Sequence, residues 1–306
     1  MRVLVTGASG FLGAHLCRVL AESGLAPVAG CRRGSDLWRL KGLAPDVPVA
    51  HLDLKDAASV AAALDEAAAD AVVNCAGYGV NYNEQDYFEA YAINVAGAMN
   101  VARAALDRRI RIIQIGTSYE YGDWPSDISE DFPLKPKGVY GKTKAAASLA
   151  LSALAESQGS DLAILRLFSM YGPLEGIHKL IPGVISATHT GRAMDMTPGE
   201  QIRDYMYVGD AAMAVVNALQ RPSASAGKIF NIGSGQGIAL RTLVSAAVGD
   251  AAEIGWGKRP YRPDEMMRVV SNPGLAAQAL EWKARTPLAE GMRLVHAFEA
   301  KRPEGK

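Results

Sequence analysis

Apolar positions along the chain fall into two alternating kinds of run. Short blocks rich in Val, Ile and Leu stand at "RVLVT", "APVAGC", "VPVAHL", "DAVVNCA", "IRIIQIG" and "DLAILRLF". Between them lie longer stretches with helical spacing: Phe11 to Ser23, a weak segment after "APVAGC", an alanine-rich stretch from Ala57 to Ala69, a long one near Asp86 to Asp107, and one following Tyr140. Blocks that are apolar at consecutive positions suit strands buried on both faces, as in a parallel sheet covered by helices. The alternation predicts an α/β fold with a doubly wound parallel sheet. After Phe168 the rhythm weakens. "YGPLEGIHKLIPG" and "MTPGEQIRDY" are rich in Gly and Pro and read as loops around one helix. "KIFNIGSG" reads as a buried strand returning to the sheet, and helical patterns recur near Arg241 to Val248 and Pro287 to Ala300. The closing "KRPEGK" is expected to fray. This pattern divides the chain into a larger domain at 1–168, to which 205–232 returns, and a smaller C-terminal lobe from 169–204 and 233–306.

Composition narrows the function. Hydrophobic residues make up 49% of the 306 and charged residues 21%, ordinary values for a globular protein. Thirty-two basic residues balance thirty-two acidic ones, so no global field draws the chain to nucleic acid or to an anionic membrane. Cys17, Cys31 and Cys75 fall singly in apolar stretches and read as buried thiols in a reducing compartment rather than a disulfide framework. The five histidines, His15, His51, His178, His189 and His296, lack metal-ligand spacing, and no metal is expected. "MRVLVTG" is too short in its apolar part for a signal peptide. No apolar run approaches the roughly 20 residues of a membrane span. The expected location is cytoplasmic.

The first chemical signal is "VLVTGASGFLGAHL", which places Gly7, Gly10 and Gly13 after the first strand and at the mouth of the first helix. In that context the glycines serve a tight turn, close approach of backbone to a pyrophosphate, and close helix–strand packing. Free N–H groups at the helix start face the anion. The alternative is a βα turn that simply requires glycine. Gly7, Ser9, Gly10, Phe11, Leu12 and Gly13 are the candidate contacts to a dinucleotide, in what reads as a Rossmann domain. At the end of the second strand a carboxylate would favour NAD(H). The residues there are Ala29, Gly30, Cys31, Arg32 and Arg33. Two guanidinium groups suit a 2′-phosphate, so NADP(H) is favoured, with NAD(H) and solvated arginines as the alternative. Asp53 and Leu54 follow the third strand and are placed to meet the adenine; Asp53 reads equally well as the cap of the next helix.

The second signal is "GVYGKTK". A spacing of four puts Tyr140 and Lys144 on one helix face. Free tyrosine titrates near pH 10, and an adjacent ammonium is expected to lower that. The alternative is an amphipathic helix start. Thr117, just past the fifth strand, is placed to hydrogen-bond a reacting oxygen or to cap the strand end.

These pieces resemble the extended short-chain dehydrogenase/reductases, particularly their nucleotide-sugar epimerase, dehydratase and ketoreductase branch. The resemblance rests on "TGASGFLG", "HLDL", "NCAG", "INVAGAMNV", "IGTSYEYG", "YGKTK", "LRLFSMYGP", "RDYMYV" and "FNIGSG", and covers nearly the whole chain. It implies that Tyr140, Lys144 and Thr117, with Ser118 as the neighbouring candidate, form the catalytic set. Ala76 and Gly77 of "NCAG" join the dinucleotide contacts. Ser169, Arg203 and Arg262 match positions that contact a nucleotide-diphosphate sugar, although Ser169 stands where many relatives carry asparagine. The bland readings are that Arg203 pairs with Asp204 or Asp210 and that Arg262 is a solvated charge.

In the 4,6-dehydratases an Asp–Glu pair follows the catalytic threonine; here those positions are Ser118 and Tyr119. Glu120 is shifted by one, and on an extended segment it would face the opposite side. Dehydration is therefore disfavoured. The resemblance and the arginines point to a reductase of the C4 ketone of an NDP-4-keto-6-deoxyhexose. An NDP-sugar 4-epimerase with retained NAD(P) is the alternative, and a small-carbonyl NADPH reductase or a dinucleotide-binding sensor comes further behind. The resemblance also implies a homodimer through the helices after Asp86 and around Tyr140; the small face of "KAAASLALSALA" fits that contact or internal packing on the sheet.

Overall fold

Each of the six apolar blocks becomes a strand in the computed structural model, which describes residues 1–302 apart from 82, 192 and 250–252. The first half of the chain runs β1 (Arg2–Thr6), α1 (Phe11–Glu22), β2 (Ala26–Cys31), α2 (Trp38–Leu43), β3 (Val49–His51), α3 (Ala57–Glu66), β4 (Ala71–Asn74), α4 (Tyr87–Tyr91), α5 (Ala98–Asp107), β5 (Arg111–Thr117), α6 (Gly138–Gln158) and β6 (Leu162–Leu167). The second half adds β7 (Ser169–Tyr171), α7 (Leu180–Thr190), β8 (Met194–Asp195), β9 (Ile202–Tyr207), α8 (Val208–Gln220), α9 (Pro222–Ser225), β10 (Ile229–Ile232), β11 (Gly237–Ala239), α10 (Leu240–Val248), β12 (Ile254–Gly255), β13 (Arg268–Val269), α11 (Gly274–Ala279) and α12 (Leu288–Glu299). The long helix expected from Asp86 to Asp107 is present, but α4 and α5 are joined through a π turn at Ala92–Gly97.

Among the described residues the main sheet has seven strands, all parallel, in the order β10-β6-β5-β4-β1-β2-β3. It is the doubly wound sheet that the alternation predicts. Successive side chains of each strand enter opposite faces. Val3 and Val5 meet Leu16 and Leu20 of α1 and Val215 and Leu219 of α8 on one face. Leu4 and Val72 meet Leu64 of α3, Val101 of α5 and Leu151 of α6 on the other. The order of connection reverses between β1 and β4, which opens a crevice above their C-terminal ends.

Two of the longer elements were invisible to patterning. No element was expected over α8; its buried set includes Ala211, Ala212, Ala214, Val215, Val216 and Ala218, so little polar face remains to mark a period. The stretch "MTPGEQIRDY", expected to be loop, instead supplies most of β9. This strand carries the second sheet, with β7 and β13 parallel and β11 antiparallel to it. Its alternation is real, with Asp204 and Met206 buried and Arg203, Tyr205 and Tyr207 only half-buried. A charge at an inward position disguised it. The Asp204 carboxylate accepts N–H bonds from Ser234 (2.7 Å), Gly235 (3.0 Å) and Ser271 (3.2 Å), tying β9 to the segments after β10 and β13. The fraying expected of "KRPEGK" falls mainly on 303–306, outside the described residues. Among the described residues no helix is long and apolar enough to cross a membrane.

Candidate active site

The turn after β1 is built on backbone contact. Gly7 has a φ of +64°, and a Cβ there would stand 2.8 Å from the Cα of Ala76. A Cβ on Gly13 would stand 2.4 Å from the Gly7 carbonyl oxygen, so only glycine lets α1 seat on the turn. The cap of α1 is Gly10, with no side chain satisfying the first-turn N–H groups. Those donors are left for an anion, and the residues present fit the pyrophosphate of a dinucleotide. The turn also brings Ala76, past β4, against Gly7, with Gly77 next in the chain. Ser9 is hydrogen-bonded to the Cys31 thiol, joining the glycine turn to the end of β2. Arg32 and Arg33 are exposed just beyond.

Asp53 does not cap the helix after β3. Asp56 does, its side chain accepting from Ala58 and Ser59 N–H, while Asp53 accepts from Lys55 N–H at 3.0 Å. Leu54 is buried against Gly97 rather than open to the crevice. Cys75 differs from the buried thiol expected: it is partly exposed at the crevice, whereas Cys17 and Cys31 are buried.

Tyr140 and Lys144 do share one face of α6, turned towards β5. The Thr117 side chain hydrogen-bonds the Tyr140 phenol. A Cβ on Gly77 would lie 3.9 Å from the Tyr140 ring, so the phenol sits beside the dinucleotide crevice. The surroundings of Tyr140 act in the direction opposite to the lowering expected from Lys144. Burial pushes the phenol up, the Glu120 carboxylate adds to the rise, and the Thr117 bond offsets only part of it. The Lys144 amine is directed elsewhere, donating at 2.5 Å to the Ile115 carbonyl. The Thr117 hydroxyl also accepts from Tyr119 N–H at 3.4 Å, so it caps the end of β5 as well as meeting the phenol. Ser118 is buried beside it.

Glu120 is also placed differently from expectation. Ser118–Glu120 forms a 3-10 turn rather than an extended segment, and it carries Glu120 inward. The carboxylate accepts Thr117 N–H at 2.9 Å and Arg166 Nε at 2.8 Å. Tyr119, at the second dehydratase position, stays 43% exposed, with its ring edge-on to Tyr140 at 6.0 Å.

Towards the second sheet, Ser169 begins β7 and lies opposite Tyr205 of β9. Arg203 pairs with neither Asp204 nor Asp210. Its guanidinium reaches Glu265 at 3.0 Å, and Glu265 N–H donates to the Arg262 carbonyl at 3.0 Å. The Arg203 side chain, from β9, thus reaches the loop that carries Arg262. Burial, with the Glu175 carboxylate adding to it, pushes the Tyr205 phenol up.

Sequence reasoning missed two polar residues that support the site. Asn94, buried in the π turn, accepts Tyr78 N–H at 2.9 Å and donates to the Tyr78 carbonyl and to Thr143 Oγ1. This holds the 77–79 loop against Tyr140. Gln114 on β5 accepts from Asn74 Nδ2 at 2.9 Å and donates to Ile115 O, the carbonyl that also receives Lys144. The signal in both was an amide inside an otherwise apolar run.

The chain is similar to known proteins. The NAD dependent epimerase/dehydratase family matches residues 3–233. The dTDP-glucose 4,6-dehydratase of Mycolicibacterium smegmatis is 30% identical, over 76% of this chain and 72% of that protein. The dTDP-6-deoxy-L-talose 4-dehydrogenase (NAD(P)(+)) of Kitasatospora kifunensis is 27% identical, over 99% of this chain and 96% of that protein. The solved structure of the Thermus thermophilus UDP-glucose 4-epimerase in complex with NAD superposes with a TM-score of 0.86 at 28% identity, covering 99% of this chain and all of that one. The crevice, the tyrosine–lysine helix and these matches place the chain in the NAD dependent epimerase/dehydratase family, the extended short-chain dehydrogenase/reductases.

Proposed function

We propose that the protein reduces the C4 ketone of a nucleotide-linked 4-keto-6-deoxyhexose, with NADPH as the favoured reductant. A bound nicotinamide supplies the hydride. The Tyr140 phenol, kept protonated by its surroundings, gives its proton to the oxygen that gains charge, and the Thr117 hydroxyl donates a hydrogen bond to the same oxygen. Lys144 has N–H donors beyond the one held by Ile115 and holds the ribose. Arg203 and Arg262 receive the diphosphate, Arg203 by exchanging its Glu265 partner for phosphate oxygens. We assign 1–168 with 205–232 to dinucleotide binding and 169–204 with 233–306 to the sugar nucleotide; the limit at 204/205 falls inside β9.

The observation that carries net reduction is the exposed Arg32–Arg33 pair at the end of β2, where no carboxylate stands. A 2′-phosphate grip suits a cofactor that is exchanged each turnover. Dehydration is disfavoured because Ser118 and Tyr119 occupy the acid–base positions and Glu120 is engaged by Arg166. A 4-epimerase with retained NAD is the second reading, favoured by the likeness to the Thermus thermophilus epimerase bound to NAD. The test is incubation with NADPH or NADH and a panel of nucleotide 4-ketosugars and 4-hydroxysugars. Stoichiometric loss of reduced-nicotinamide absorbance, abolished in Tyr140→Phe, is expected; sugar inversion without net cofactor consumption overturns the reading.

We also propose a homodimer through α4 and α6. Phe88 is 90% exposed, Tyr91 59% and Leu149 62%, large apolar side chains that a second copy of these helices would cover.

A further inference from the structure

A polar row crosses the main sheet where its core is otherwise apolar. Thr6 on β1 stands opposite Asn74 on β4, and Asn74 stands opposite Gln114 on β5. All three side chains are buried. The neighbouring row on the same strands is Val5, Val73 and Ile113, so sheet packing by itself gives no reason for amides here. Amides at this depth are costly unless partners are supplied. The partners form a chain. Ala76 N–H donates to the Thr6 hydroxyl at 3.4 Å, and Thr6 donates to Asn74 Oδ1 at 2.5 Å. Asn74 Nδ2 donates to Gln114 Oε1 at 2.9 Å, and Gln114 Nε2 donates to the Ile115 carbonyl at 3.0 Å. Every bond runs in the same sense, so each polarises the next. The chain begins at Ala76, the residue packed against Gly7 of the dinucleotide turn. It ends at the carbonyl that receives the Lys144 ammonium at 2.5 Å.

We propose that Asn74 and Gln114 are positioning residues for Lys144. A carbonyl oxygen has two lone pairs, and Gln114 occupies one of them. The direction left for the lysine is then fixed by the strands rather than by its own flexible stem. With one N–H held at Ile115, the remaining N–H groups of the ammonium are aimed at the nicotinamide ribose of a dinucleotide seated on the Gly7 turn. The inference rests on the reading of Lys144 as the group that holds the ribose, and it adds what sets the aim of that group. It also gives the buried row a purpose: β1, β4 and β5 fix the pyrophosphate turn and the ribose grip relative to each other through side chains as well as through their backbone ladder.

Gln114→Leu cuts the last link and leaves one Asn74 N–H unpaired. The Asn74→Leu/Gln114→Leu pair removes both amides together, so it decides the matter if the single variant does not fold. Calorimetric titration compares a whole dinucleotide with a fragment that lacks the nicotinamide ribose: NADPH against 2′,5′-ADP, and NADH against ADP. The expected result is dinucleotide binding weakened about tenfold with fragment binding held within about twofold. A merely structural role would weaken both alike. Lys144→Met should show the same selective loss, and adding Gln114→Leu to it should cost nothing further, because the amide acts through the lysine. Equal losses for dinucleotide and fragment, no loss in a folded variant, or losses that add in the double variant each overturn the inference. Lys144→Met binding the dinucleotide as wild type does would overturn the ribose reading and the inference with it. The titration needs no turnover, so an epimerase in place of a reductase leaves its outcome unchanged.

Discussion

His15 makes a pH-dependent contribution whose sign and size follow from its surroundings. It lies on α1, 1% exposed, between the Phe11 ring, edge-on at 5.3 Å, and the Pro173 carbonyl, which its Nε2 reaches at 2.8 Å. Nε2 therefore carries the proton, and Nδ1 is buried with no partner. Burial lowers the imidazole from 6.5 to about 4, with the Pro173 bond opposing it and Arg18 and Arg39 adding to it. The native state thus resists a proton that the unfolded chain accepts. Stability from this group is fully present above pH 6.5 and is lost as pH falls towards the folded value of about 4. Between about pH 7 and about pH 5 the loss amounts to about 2 kcal/mol, and the full shift is worth about 3 kcal/mol. His15→Gln keeps an N–H for Pro173 and cannot titrate. Urea unfolding of both proteins across this range should show wild type ahead at neutral pH and the difference closing by about 2 kcal/mol as the solution is acidified. A gap that stays constant with pH would refute the reasoning, because a lost packing contact does not depend on protons.

Three further outcomes are expected. Gly13→Ala places a methyl group 2.4 Å from the Gly7 carbonyl and 2.7 Å from Ala8 Cα, so α1 must lift from the turn; thermal unfolding should show a loss of about 1–3 kcal/mol, and calorimetric titration a weakened dinucleotide. Asp204→Asn turns an acceptor of several N–H and O–H bonds into one that presents its own donors to Ser234, Gly235 and Ser271; urea denaturation should report a loss of about 2–4 kcal/mol, and an unchanged midpoint would show that the carboxylate does not hold the lobe to β9. Replacing Arg32 and Arg33 together by Ala should weaken NADPH binding at least about tenfold and leave NADH binding nearly unchanged; equal loss for both cofactors would remove the basis for the NADPH preference.

The main sheet was legible because, apart from the edge strand β3, its first six strands are buried almost throughout on both faces and therefore write themselves as continuous apolar blocks. The glycine turn was legible for a different reason: a close backbone approach admits one residue type, and the contacts of Gly7 and Gly13 bear out that logic. What stayed hidden has a common physical cause. α8 and β9 are elements whose inward positions break the expected contrast, the first because almost everything on it is apolar and the second because Asp204 is buried and satisfied by neighbours distant in sequence. Composition along the chain cannot register a partner supplied from elsewhere.

The same cause bears on the reading of Tyr140. Spacing alone puts Lys144 on the face of Tyr140, and from two residues the only available inference is that the cation acidifies the phenol. The amine is instead drawn off by the Ile115 carbonyl on β5, a strand made adjacent by the fold, and burial, with the Glu120 carboxylate adding to it, pushes the phenol up. Whether Glu120 faces the site turns on the local shape of three residues. Extended, they point it away; wound into a 3-10 turn they bring it in, where Arg166 stabilises it. The turn forms because Thr117 and Glu120 cap each other, side chain to backbone in both directions. That reciprocal cap is written in the sequence as Thr-x-x-Glu, directly after the apolar strand. Read as a cap rather than as a displaced acid–base pair, "TSYE" turns Glu120 inward on the strength of four residues, and with it the expectation for which way the tyrosine titrates.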